Sequence, residues 1–126
     1  MGHAESKFKI TTPVREILLN DERITALIGD KIFPVVAPNE TEGDFIVYRR
    51  DRYVKSYTQM GISGQLCEVY VNVISDDYDR SQDLAYLVNE ALEGTFSNPD
   101  MKITLIDSTE DFEDEKYIQV LLFKIE

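Results

Sequence analysis

Between Cys67 and Gly94 the spacing of apolar residues changes from every second residue to a helical repeat, and this switch restricts the fold more than any other feature. Cys67, Val69, Val71 and Val73 alternate with Glu68, Tyr70, Asn72 and Ile74, which predicts a strand with one strongly apolar face. Ser75-Asp76-Asp77 then supplies capping residues. Leu84, Leu87, Val88, Ala91 and Leu92 follow the i, i+3, i+4, i+7, i+8 spacing of an amphipathic helix closed by Gly94. A one-sided strand followed by a one-sided helix calls for a helix layered on a sheet.

The flanking segments extend this core. Thr12-Pro13 reads as an N-cap with proline at the first helical position, and Val14, Ile17 and Leu18 form an apolar stripe. Asn20-Asp21 restarts the chain, Ile24, Leu27 and Ile28 repeat the spacing, and Gly29 is expected as a left-handed C-cap, so one broken helix or two short ones would fit. Ile32-Phe33-Pro34 and Val35-Val36-Ala37-Pro38 are cut by prolines and suit an edge strand or an extended connection. Phe45-Ile46-Val47-Tyr48 lacks clean alternation and predicts a strand buried on both faces. Asp51 to Gly64, with Tyr53, Tyr57 and Met60 among polar residues, reads as a long connection. Asn98-Pro99-Asp100 makes a turn, Ile103 to Ile106 begins a strand, and Tyr117 to Ile125 is the last one, with an acidic stretch between them that implies a β-hairpin with an extended, charged tip.

The expectation is an α+β domain: an antiparallel or mixed sheet of four to five strands, with an N-terminal helical segment and one long helix packed on one face. Residues 1–12 are expected to be a flexible lead, in which Met1-Gly2-His3 fits an expression remnant, and residues 13–126 a single domain. At 126 residues and 43% hydrophobic content the chain can bury a core without staples. Cys67 is the one cysteine, so no internal disulfide forms and a cytosolic setting fits. No apolar run approaches the roughly 20 residues that span a bilayer, so no membrane partner is expected.

Catalytic material is scarce. The single histidine, His3, falls in the expected lead, which leaves no histidine for a triad or a metal site. Gly61-Ile62-Ser63-Gly64 lacks the lysine of a P-loop and reads as a turn. Cys67 alternates with valines as a buried, inert thiol would, and Asp76 and Asp77 fit a helix cap better than metal ligands. The expectation is no catalytic, metal or cofactor site.

Two charge clusters remain against a net charge of −11. Arg49, Arg50, Arg52 and Lys55 are interleaved with Tyr53 and Tyr57; Glu110, Asp111, Glu113, Asp114 and Glu115 crowd the expected hairpin tip. The acidic run has no glycine and does not match a calcium loop, and like charges in series usually stay solvated. Basic residues among aromatics can hold single-stranded nucleic acid or an acidic protein, although strong overall acidity opposes phosphate binding. The two clusters could also meet between neighbouring copies as a heterologous contact.

The order of residues adds a resemblance. Leu27-Ile28-Gly29-Asp30-Lys31-Ile32-Phe33-Pro34, then Ala37-Pro38 and Phe45-Ile46-Val47-Tyr48, resembles the N-terminal half of the phage tail-completion, or tail-terminator, proteins. Val69-Tyr70-Val71-Asn72-Val73, Tyr78, Leu84-Ala85 and Leu92-Glu93-Gly94 look like that family's strand and long helix, and the likeness runs over roughly residues 13–125. The resemblance implies a non-enzymatic subunit of a ring, commonly hexameric, that ends the tail tube and meets the head connector while DNA passes through without specific binding. It also implies assembly in the host cytoplasm and residence in the virion tail. The segments around Asp51 to Gly64 and Asp111 match no family pattern, so no residue contact is carried over.

Overall fold

The computed structural model describes residues 8–58, 61–97 and 100–126, with side chains 56–65 outside the description. Along the chain lie α1 (Thr11–Leu19), α2 (Glu22–Ile28), β1 (Ile32–Pro34), β2 (Phe45–Thr58), β3 (Gly61–Ser75), α3 (Tyr78–Leu92), β4 (Gly94–Phe96), β5 (Met101–Glu113) and β6 (Lys116–Ile125). The strands form one sheet in the order β1-β2-β3-β6-β5-β4. β1 runs parallel to β2 and every other pairing is antiparallel, so the α+β sheet is mixed. Its six strands exceed the expected four to five because β4, only three residues long, adds a strand directly after α3.

Local chemistry accounts for most of the helix ends. Asp21 accepts from the backbone N–H groups of Arg23 at 2.9 Å and Ile24 at 3.3 Å, which starts α2 as a helix separate from α1. Asp77 accepts from Arg80 N–H at 2.9 Å and starts α3. Three end assignments need correcting. α1 begins at Thr11 with no side-chain cap, so Thr12 is not the cap, but Pro13 still lies in the first turn, where its missing N–H costs nothing. Gly29 has φ 64° and ψ −131°, a positive φ outside the left-handed helical well. Gly94, with φ 150°, opens β4, and α3 closes at Glu93.

The register explains the core. Val69, Phe123 and Leu105 stand side by side on β3, β6 and β5, and the next such row is Cys67, Ile125 and Ile103. This face packs on Val14, Leu18, Ile24, Ile28, Leu84, Val88 and Leu92, so all three helices cover one side of the sheet. On β2, Ile46 and Tyr48 are buried while Phe45 and Val47 are half-buried. That corrects the strand expected to be buried on both faces: with helices on one side only, the opposite face stays partly open. Ile10 is also buried, at 2% exposure, so the fold starts before residue 13, while residues 1–7 lie outside the described ones.

The largest correction concerns Asp51 to Gly64. The expected connection is instead the continuation of β2 and β3, paired through Lys55 with Gln65 and on to Thr58 with Gly61. β6 meets β3 only from Cys67 onward, so the outer part of this hairpin projects beyond the sheet as a two-stranded arm. Met60 is outside the described residues.

Candidate interaction surfaces

The acidic segment does form a hairpin, but its tip is tight. Asp114 and Glu115, at φ 53° and 62°, make a two-residue turn between paired Glu113 and Lys116, and the strands run through the acidic run itself. Asp111, Glu113, Asp114 and Glu115 are exposed. Glu110 is exposed too, yet it is engaged: it accepts from Gln119 Nε2 at 2.8 Å and from Tyr78 Oη at 3.1 Å. Those hydrogen bonds hold its carboxyl below the ordinary glutamate value. Tyr117 joins the ring of Tyr78, 5.6 Å away, to that of Phe112 at 5.0 Å. Asp76 pairs with Lys116 and not with the helix N-terminus. The part of the acidic hairpin next to its turn is therefore docked on the start of α3.

The basic cluster lies on β2, divided between two faces by a bulge between Arg50 and Arg52. Arg50 and Tyr53 fall on the helix side, where the Arg50 guanidinium lies 4.7 Å from the Phe8 ring centre and Tyr53 meets the same ring edge-on at 5.6 Å. Arg49 and Arg52 fall on the open side. Arg49 stacks over Tyr70 at 4.8 Å, and both arginines reach Asp51, at 3.8 and 3.6 Å. Lys55 Nζ lies 5.8 Å from the Tyr53 ring centre. The Tyr57 side chain lies outside the described residues. Several aromatic faces in the cluster thus already carry the chain's own cations.

The fold keeps the two clusters apart. β2 and β5 are separated by β3 and β6, three strand spacings or roughly 14 Å. Among the described residues each also has an outer edge without a strand partner along most of its length: β1 covers β2 only from Ile46 to Tyr48, and β4 covers β5 only from Met101 to Ile103.

Two polar constellations escaped the sequence reading. Asp44 accepts from Ser75 Oγ at 2.8 Å and from Arg80 Nε at 3.1 Å, tying the start of β2 to α3. Burial pushes the Asp44 carboxyl up, but the hydrogen bonds from Arg80 and Ser75 and the charges of Arg80 and Lys31 outweigh it and hold the group below the ordinary value. The other is Gln119, buried on the helix-facing row of β6. Its only signal in the sequence was a polar residue in an otherwise apolar alternation. Among the described residues, no group of three or more His, Cys, Asp or Glu is arranged to hold a metal ion.

The architecture is that of a mixed six-stranded sheet with helical cover on one side and, among the described residues, two incompletely paired strand edges of opposite charge. No family model matches the sequence, and no curated protein does. Among solved structures, a chain of the "Virion of native gene transfer agent (GTA) particle" is similar in fold, with a TM-score of 0.74 over 89% of each chain at 18% sequence identity.

Proposed function

We propose that the chain is a non-enzymatic structural subunit of a phage-like tail, forming a ring that terminates the tail tube and joins it to the head connector. The observation that carries this reading is the fold likeness to a virion chain along nearly the whole length of both. The surfaces support it: complementary charges on opposite edges favour a head-to-tail contact, which closes into a ring when the rotation allows. The ring's hexameric size comes from the family resemblance. A net charge of −11 suits a channel that lets DNA pass without holding its phosphates.

Light scattering across a concentration series, alone and with tail-tube protein, tests the proposal. A defined ring in either condition is expected; a strict monomer in both would overturn it. Nucleic-acid binding by the basic cluster gains little support, because Arg49 and Arg50 lie on Tyr70 and Phe8. Salt-sensitive capture of single-stranded DNA would revive that alternative.

A further inference from the structure

The open edge of β5 is finished with its own side chains. Because Asp114-Glu115 is a two-residue turn, Glu113 and Lys116 form a hydrogen-bonded pair, and alternation then turns the N–H groups of Ser108, Glu110 and Phe112 outward. Asp107 Oδ1 accepts from Ser108 N–H at 2.9 Å, and Asp111 Oδ1 accepts from Phe112 N–H at 2.8 Å. Two of the outward donors are thus capped by a neighbouring carboxylate, a cover that blunts indiscriminate pairing and that a competing strand can displace.

The competing strand is present on the opposite side of the same molecule. Beyond Tyr48 the outer edge of β2 has no strand partner among the described residues. Its Arg49 and Arg52 stand on the face away from the helices, as do Asp107 and Asp111 of β5, which share rows with Leu122 and Ile118. The two arginine side chains are 48% and 57% exposed, and their contacts with Asp51 are long, so these pairs exchange readily.

We infer that the outer edge of β2 in one copy adds to the open edge of β5 in a second copy, so that neighbouring sheets continue as one. This deepens the assembly proposed above and rests on it. β2 and β5 run in opposite directions within the sheet, so a copy set alongside with its helices on the same side meets its neighbour antiparallel. The helix-free faces then become continuous, and Arg49 and Arg52 take over Asp107 and Asp111 as their caps are released to the incoming main chain. Both surfaces are used once per subunit, so in a closed ring neither the outer part of β2 nor that of β5 is left unpaired.

The test uses the full chain. Ser108→Pro removes an outward N–H without touching a bond inside the sheet, and it is expected to raise the dissociation constant of the assembly about tenfold with the monomer still folded by circular dichroism. Hydrogen exchange on the wild type gives the second readout: the amides of Ser108, Glu110 and Phe112 should slow at least about tenfold on assembly. The reversals Arg49→Glu with Arg52→Glu, and Asp107→Lys with Asp111→Lys, should each weaken assembly, and mixing the two reversed chains should restore it. A ring that forms with those amides still fast, or undisturbed by Ser108→Pro, overturns the edge pairing while leaving the ring intact. Absence of any ring overturns both.

Discussion

Gln119 donates from Nε2 to Ser81 Oγ at 3.1 Å, bridging the middle of the last strand to the first turn of the long helix above it. The same amide nitrogen donates to Glu110, so one buried side chain ties together α3, β6 and the acidic strand. Ser81 in turn donates to Tyr78 O at 2.6 Å, which fixes the hydroxyl as acceptor toward Gln119. Gln119→Leu keeps the bulk and loses the donor, and it should destabilise the fold by about 1 kcal/mol. Gln119→Ala adds a void and should cost about 1–3 kcal/mol. Urea unfolding with an unchanged slope is the check; a neutral alanine variant would mean that this bridge holds nothing.

Asp44 makes stability depend on acid. Its folded value lies below the ordinary aspartate value of 3.8, so its contribution is complete above that value and is lost as pH falls through the lower folded one. Asp44→Asn cannot ionise. The stability gap between wild type and this variant should therefore be widest near neutral pH and close progressively in acid below 3.8. Urea unfolding of both chains across that range measures the gap, and a constant difference would rule out the ionised form as the source.

The turn at the acidic tip is under local strain. Asp114 and Glu115 both hold positive φ, which aspartate tolerates far better than glutamate. Glu115→Gly relieves the strain and removes one of the crowded negative charges, and it should stabilise the chain by up to about 1 kcal/mol. A melting temperature that falls would show that the carboxylate of Glu115 contributes more than its backbone costs.

Sequence legibility followed the number of neighbours that each strand has. β3 and β6 are flanked on both sides and covered on one face, so Val69-Val71-Val73 and Leu121-Phe123-Ile125 alternate clearly with less buried residues. Among the described residues the outer parts of β2 and β5 have one strand neighbour each, and β6 stops short of the projecting arm. Nothing there selects for apolar alternation, and Asp51 to Gly64 therefore looked like a loop. β4 is hidden for another reason: Gly94-Thr95-Phe96 is too short for any period to register. Of the interaction surfaces, the charges were legible and their placement was not. That Arg52 joins Arg49 on the open face, and not Arg50 on the helix side, depends on a bulge that leaves no mark in composition.

Cys67 offers an independent probe of this core. It is fully buried, at 0% exposure, in a row with Ile125 and Ile103 beneath the helices. A thiol in such a place is reached only when the sheet opens, so its modification should track the population of the open state. Native protein should react with a thiol reagent about a thousandfold or more slowly than unfolded chain, given ordinary domain stability. Phe123→Ala, which empties the adjoining row, should cost about 3–5 kcal/mol and accelerate the reaction in proportion. Fast labelling of the folded wild type would mean that the sheet opens locally near Cys67 without global unfolding.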